Sequence, residues 1–74
     1  DFAIEVSVYP NPTSDFVTIK SEYEIESNQI IDLKGNILMH EVECKLDLSQ
    51  LTPGIYFLRS TAQGRSTLSR IVKY

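Results

Sequence analysis

Apolar and polar residues alternate in short runs along this chain, and this alternation is the feature that most constrains its fold. It is plain at 2–8, 17–20 and 46–49, where every second residue is apolar. A period of two is that of a β-strand with one buried face, and no stretch has the period of an amphipathic helix. The chain is therefore predicted to be all-β.

Turn residues divide the chain into about seven short strands. We predict strands at 2–8, 17–20, 29–33, 37–42, 46–49, 55–60 and 66–73. The stretch 21–27 is an ambiguous further candidate, because its alternating glutamates suit an edge strand that discourages pairing with other molecules. Short strands with turn signals roughly every 8–12 residues favour a β-sandwich or a small barrel.

The turns carry specific local signals. Proline lacks a ladder donor, so Pro10-Asn11-Pro12 ends the first strand. Gly35, in the stretch that Asp32 begins, can take positive φ and indicates a hairpin with a glycine bulge. Pro53 and Gly54 suit the second and third positions of a type II turn, and a further turn is predicted at 62–65.

Tyr56 favours the sandwich. With Leu51 and the turn that follows it, Tyr56 resembles the tyrosine corner of immunoglobulin-like domains, where the hydroxyl group bonds backbone a few residues upstream. A buried tyrosine hydroxyl needs a partner, and a tight turn just before it brings backbone groups within reach. We expect Tyr56 to be buried and bonded in this way.

The residues offer no catalytic constellation. His40 and Cys44 are the single histidine and cysteine, and on one strand they would lie roughly 13 Å apart, too far for a nucleophile pair. We expect His40 to be partly exposed and Cys44 to act as a buried or half-buried small hydrophobic residue. No phosphate-binding glycine loop or Gly-x-Ser-x-Gly is present, so neither an enzyme nor a cofactor is predicted.

Three aspartates at or near turns leave two interpretations open. Asp15, Asp32 and Asp47 either bond local backbone amides, as turn aspartates do, or bind calcium. No dense Asp-x-Asp loop with a closing glutamate appears, so the first interpretation is favoured and no metal is expected.

Charge is divided unevenly along the chain. All ten carboxylates lie in residues 1–47 with three lysines, whereas residues 48–74 hold four basic residues and no acid. Either acidic and basic strands form exposed cross-strand pairs, or the basic half is a docking face for an anionic partner. Four bases are too few for a nucleic-acid interface, and no apolar run is long enough for stable insertion in a membrane.

Seventy-four residues make one domain. The alternating pattern starts at the first residues, with no signal peptide before it. We expect residues 1–74 to be a single module cut from a longer secreted protein.

Four segments together resemble the type IX secretion C-terminal sorting domain of Bacteroidetes-type bacteria, in the right order and spacing. They are 9–13 (YPNPT), 32–35 (DLKG), 46–56 (LDLSQLTPGIY) and 70–74 (RIVKY). The motif residues are Pro10, Asn11, Pro12, Asp32, Gly35, Leu51, Pro53, Gly54 and Tyr56. The family usually has an apolar residue at the place of Asn28 and often an aromatic at that of Ile31, so strand packing is expected to differ there.

The resemblance implies an immunoglobulin-like antiparallel β-sandwich of about seven strands that acts as an export signal. Its cargo would cross the periplasm, pass through the type IX outer-membrane translocon and reach the cell surface or the extracellular space. A sortase-like peptidase would remove the domain. The implied partners are these outer-membrane components and the peptidase, and a weak dimer by strand exchange is left open.

In the family the last strands carry much of the recognition. We therefore expect a recognition hairpin in which Ile71 and Val72 help to hold the strands and four basic residues are displayed: Arg59, Arg65, Arg70 and Lys73. The rival interpretation is a passive adhesion or carbohydrate-binding sandwich of a secreted enzyme, which would need exposed aromatic residues on one face. Its candidates are Tyr9, Tyr23 and Tyr74, which are dispersed in the sequence.

Overall fold

The computed structural model describes residues 4–74. This part of the chain contains seven β-strands and no helix. The strands are β1 (Ser7–Tyr9), β2 (Phe16–Lys20), β3 (Ser27–Ile31), β4 (Ile37–Glu41), β5 (Lys45–Asp47), β6 (Gly54–Ala62) and β7 (Arg65–Lys73). The start of the first predicted strand, at Phe2 and Ala3, lies outside the described residues. Over residues 4–74, the structure contains no helix with the length and hydropathy of a membrane span.

The strands form two antiparallel sheets packed face to face. One sheet has the order β1-β2-β5 and the other the order β4-β3-β6-β7. The core between them takes apolar side chains from both sheets: Val17, Ile19, Ile30, Leu46, Leu48, Tyr56, Leu58 and Ile71. The predicted all-β, immunoglobulin-like sandwich of about seven strands is confirmed.

The alternation of exposure follows the sequence pattern most clearly in β6. Tyr56, Leu58, Ser60 and Ala62 are buried, while Arg59 between them is exposed. Burial of every second side chain is what a strand with one face on a core requires. This strand lies between β3 and β7, so it positions both halves of the larger sheet.

The prediction of an edge strand at 21–27 is wrong for 21–26, because β3 starts only at Ser27. This segment carries the chain from one sheet to the other, so its backbone groups leave the ladder. The Ser21 hydroxyl donates to the Glu5 carbonyl at 2.7 Å, and the Tyr23 amide donates to Ser21 Oγ at 3.1 Å. The Glu26 amide then donates to the Thr61 carbonyl at 2.7 Å, beside the start of β3.

Asn28, where the family usually has an apolar residue, is fully buried. Ser60 lies opposite it on β6, and the Ser60 hydroxyl donates to Asn28 Oδ1 at 2.9 Å. Asn28 Nδ2 donates to the Glu43 carbonyl at 2.8 Å. A buried amide is tolerated when its donors and acceptors are satisfied, so the polar residue is matched by Ser60 across the ladder.

Candidate recognition surface

The Tyr56 side chain locks the entrance to β6. Its hydroxyl donates to the Thr52 carbonyl at 2.5 Å and lies 3.2 Å from Thr52 Oγ1, while the residue is only 7% exposed. Leu51, beside it, is half-buried and packs against the core. The predicted bond from the hydroxyl to backbone a few residues upstream is confirmed.

The predicted type II turn at Pro53-Gly54 is wrong. Such a turn would need the Thr52 carbonyl to accept the Ile55 amide, but that carbonyl accepts the Tyr56 hydroxyl instead. Gly54 has φ +156° and already belongs to β6, where it lies opposite Lys73. The hydrogen-bonded turn comes earlier, where the Leu51 amide donates to the Leu48 carbonyl at 3.0 Å.

The Pro10–Thr13 segment runs along the outer edge of β7, and we call it the clamp. Asn11 Nδ2 donates to the Arg70 carbonyl at 2.7 Å, and the Val72 amide donates to Asn11 Oδ1 at 3.0 Å. The Thr13 amide donates to the Val72 carbonyl and the Tyr74 amide to the Thr13 carbonyl, both at 2.9 Å. Two prolines flank Asn11, and proline does not pair as an ordinary strand residue does. The clamp therefore joins the beginning of the described chain to its last strand.

The Asp32 carboxylate organises the turn between β3 and β4. Asp32 Oδ1 accepts the amides of Lys34 and Asn36, both at 2.9 Å, and Oδ2 accepts Asn36 Nδ2 at 3.1 Å. These bonds, the side-chain bond of Asn36 first, hold the pKa of Asp32 below its usual value. Gly35 has φ +90°, and its amide donates to the Asp32 carbonyl at 3.1 Å. The predicted hairpin with a glycine bulge is confirmed.

The other turn aspartates also bond backbone. Asp47 Oδ1 accepts the Ser49 amide at 2.9 Å, and its hydrogen bonds from Ser49 lower the pKa of Asp47. Asp15 Oδ1 accepts the Phe16 amide at 2.6 Å. Across the described part of the chain, no three His, Cys, Asp or Glu side chains converge as metal ligands.

The exposure expected for His40 and Cys44 is confirmed, although the two residues do not share a strand. Exposed His40 belongs to β4, and Cys44 is half-buried, with a free thiol, and packs against the core.

The hairpin of β6 and β7 has a two-residue turn at Gln63 and Gly64, as the sequence predicted at 62–65. Their φ angles of +53° and +74° are those of a type I′ turn, whose twist matches that of paired strands. The hairpin pairs over nine residues on each strand, from Gly54 opposite Lys73 to Ala62 opposite Arg65.

No basic residue of this hairpin lies directly opposite a carboxylate. Arg59 lies between Gln29 and Leu68, and its guanidinium donates to Gln29 Oε1 at 3.2 Å. Arg70 lies opposite Phe57, and Arg65 opposite Ala62. Arg59, Arg65 and Arg70 are exposed. A carboxylate directly opposite each arginine, as the first of the two interpretations of the charge division would place it, is therefore not found at these positions of the described ladder.

Lys73 is not displayed, in contrast to the sequence expectation, whereas Ile71 is an interior residue of the hairpin as expected. Ile71 is fully buried, and Lys73 is only 7% exposed with its Nζ donating to the Tyr74 carbonyl at 3.0 Å. Both stand at the inward positions of β7, while half-buried Val72 and exposed Arg70 stand at the outward ones. The six expected recognition residues thus divide between surface and interior.

Two open depressions mark the surface of the described residues. One of about 510 Å³ is lined by Glu5, Val6, Ser7, Lys20, Ser21, Glu22 and Tyr23. The other, of about 370 Å³, lies between the turn of β3 and β4 and residues 53–56. The lining of the second depression includes Asp32 and Tyr56, whose side chains bond local backbone.

Sequence reasoning missed two contacts at this surface. Asn11 was singled out as a motif residue, but its bonds to Arg70 and Val72 lie about sixty residues away in the chain and leave no local signal. Thr13 is buried and its hydroxyl donates to the Phe16 carbonyl at 2.5 Å. A polar residue after a Pro-Asn-Pro turn would have indicated a turn and nothing further.

The chain matches a protein-family model and a curated protein. The family model described as a secretion system C-terminal sorting domain matches residues 7–74. A curated relative, beta-agarase D of Zobellia galactanivorans, is 32% identical over 71 residues, and the match covers 92% of this chain. The 71 residues are the length of the alignment including gaps, and the match spans 15% of the length of that relative.

Proposed function

Because this chain belongs to the family of secretion system C-terminal sorting domains, we propose that it carries a cargo protein through the type IX translocon by presenting its β6–β7 hairpin. Domains of this family are the C-terminal sorting signals of type IX secretion. Their cargo reaches the cell surface or the extracellular space. What remains to be assigned is which part of this domain is read, and by what.

The hairpin is supported by one observation above the others. Its three arginines are exposed, and their partners across the ladder are the neutral residues Gln29, Leu68, Phe57 and Ala62. Exposed guanidinium groups present positive charge to solvent, which attracts an anionic partner and speeds encounter with it. Ile71 and Lys73 support this surface from below, because they hold β7 on the core.

The scaffold suits a signal that is read by shape. The turns at Asp32 and Tyr56 are held by side-chain bonds to backbone. A rigid fold presents the same surface to each partner with little loss of entropy on binding.

The cargo and the route complete the proposal. We take residues 1–74 to be one module at the end of a longer secreted protein, which crosses the periplasm before it meets the outer-membrane components. A sortase-like peptidase then removes the module. The similarity to 15% of a much longer agarase suits a small module joined to a large cargo.

A reporter fusion tests the proposal. Residues 1–74 are joined to the C-terminus of a periplasmic reporter in a bacterium with a working type IX system, and in the same strain with its translocon deleted. We expect the reporter in the medium or on the surface in the first strain and inside the cell in the second. Retention in both strains would refute the export role.

The part that is read is tested by changing the exposed charges. Arg59, Arg65 and Arg70 are replaced together by glutamine in the fusion, with Lys20, Lys34 and Lys45 replaced in a matched control. We expect export to fall in the first variant only. Equal export from both would show that the hairpin charges are not the recognised feature.

A further inference from the structure

The outer edge of β7 is closed along one half and open along the other. The clamp bonds the Arg70 carbonyl and both backbone groups of Val72. The amide and carbonyl of one strand residue point to the same side, and the side alternates along the strand. The backbone groups of Ser66 and Leu68 therefore point outward in the same direction as those of Arg70 and Val72.

Within the described residues, β6 is the only element whose backbone forms hydrogen bonds to residues 66–69 of β7. The clamp reaches no further than Arg70, whose own amide also points outward. Five backbone groups in a row, from the Ser66 amide to the Arg70 amide, are thus presented to solvent. Unpaired groups of this kind form a ready template for an added strand.

The side chains of this open edge lack the usual protection. Natural edge strands carry charged side chains, proline or a bulge to discourage pairing, and here the charges stand only at the ends, while Leu68 at the centre is apolar and 60% exposed. The opposite edge of the same sheet is β4, which has only five residues. It ends at Glu41, and Glu43 adds a second negative charge just after it. The other sheet ends in β1 and β5, which have three residues each.

The charges around the open edge select its occupant. Arg65 and Arg70 stand at its two ends, and Arg59 lies beside Leu68 on the neighbouring strand. Arg59 lies opposite Gln29 and Leu68, and Arg70 lies opposite Phe57, so neither faces a carboxylate in the ladder. A strand added here gains from carboxylate side chains placed within reach of these guanidinium groups.

We propose that the Ser66–Arg70 edge accepts an extended, acidic segment of a partner protein, which adds a fifth strand to the four-stranded sheet. This inference rests on the proposed function, because the partner is then a component of the export machinery. Main-chain hydrogen bonds supply the affinity, and the arginines supply the preference for acidic segments. The clamp sets the limit of the added strand, since it occupies the edge beyond Arg70.

Two substitutions of Leu68 distinguish the contribution of the backbone edge from that of the leucine side chain. Leu68→Pro removes only an amide that points away from β6, and proline is accepted in edge strands at such positions. Leu68→Thr removes the leucine side chain but keeps the amide. In the reporter fusion, we expect export to fall about tenfold with proline, as for a lost interfacial hydrogen bond, and to change little with threonine.

The thermal midpoint of each 74-residue variant controls for folding. Both midpoints should lie within about 4 °C of each other, which corresponds to less than roughly 1 kcal/mol in a domain of this size. Wild-type export in the proline variant, or equal loss in both variants at matched stability, would overturn the docking edge. Retention of the unaltered fusion would instead overturn the proposed function itself.

Two further measurements identify the occupant. Arg70→Glu should block export more strongly than Arg70→Gln, and equal export from the two would overturn the acidic character of the segment. Sedimentation of the 74-residue chain tests for a second copy at the edge. We expect a monomer before and after Leu68→Pro, whereas a dimer that the proline dissociates would assign the edge to self-association and overturn the partner.

Discussion

Tyr56 illustrates how a single hydroxyl group can decide the path of the chain. It takes the Thr52 carbonyl that a type II turn would have used, so the chain enters β6 directly at Gly54. The aromatic ring is buried in the core, while its polar end satisfies backbone at the entrance to the strand. The motif around Tyr56 is therefore explained by one side chain, whose ring packs in the core and whose hydroxyl group bonds the Thr52 carbonyl.

Tyr56→Phe should lower the free energy of unfolding by about 1 kcal/mol or more, because the part-buried Thr52 carbonyl loses its partner. The thermal midpoint should fall by roughly 4–8 °C in a domain of this size. Tyr9→Phe, at an exposed tyrosine, is the control and should leave the midpoint unchanged. An equal effect of both changes would argue against the corner.

Asn28→Leu should destabilise the chain, since it leaves the Ser60 hydroxyl and the Glu43 carbonyl without their buried partner. The expected loss is about 1–3 kcal/mol. Adding Ser60→Ala should recover part of it, because the unpaired hydroxyl is then removed. Denaturant unfolding of the two single variants and the double variant measures this coupling, and strictly additive effects would contradict it.

The carboxylate of Asp32 should make stability depend on acid pH. Hydrogen bonds lower its pKa in the folded chain below the value of about 3.9 expected when unfolded. Its contribution is therefore complete above pH 4 and is lost as pH falls through the folded pKa. Asp32→Asn should flatten the acid limb of a stability–pH curve, whereas Ser14→Ala, at an exposed residue that does not ionise, should leave its slope unchanged.

At the scale of elements, the clamp and β7 depend on each other. The last strand would be an open edge along its whole length if Asn11 and Thr13 did not bond Arg70, Val72 and Tyr74. A parallel bridge joins Thr13 to Lys73, so the clamp meets the end of β7 beside the hairpin proposed for recognition. The sequence motif at 10–13 thus stabilises a strand that lies about sixty residues later in the chain.

Asn11→Ala should loosen the end of β7 and lower stability by about 1–2 kcal/mol, for two lost hydrogen bonds. Hydrogen exchange should quicken at the Val72 amide, which Asn11 accepts, more than at amides in the middle of β6. Ser14→Ala, at an exposed residue next to the clamp, is the control. Unchanged exchange at Val72 would count against the clamp.

At the scale of the whole molecule, the hairpin proposed for recognition is also a wall of the core. Ile71 is completely buried in the cluster that joins the two sheets, and Lys73 lies inward beside it on the same strand. A change to the end of the chain therefore affects folding as well as recognition. Surface and interior can be separated only by substitutions at outward positions such as Arg70.

Deleting residues 70–74 should unfold the domain, because it removes Ile71 from the core and all the partners of the clamp on β7. We expect the loss of a cooperative thermal transition followed by circular dichroism. Arg70→Gln, which keeps the strand, should retain that transition. A folded truncated chain would show that the last strand is dispensable for the sandwich.

The local sequence determined which parts of the chain are strands, because burial of one face imposes a period of two that is written in neighbouring residues. It also determined the hairpin turns, through Gly35 and Gly64, and the buried corner at Tyr56. Tertiary structure alone decided that 21–26 crosses between sheets, that Lys73 faces inward and that Asn11 closes half of an edge. These depend on contacts between residues far apart in the chain, which no local pattern encodes.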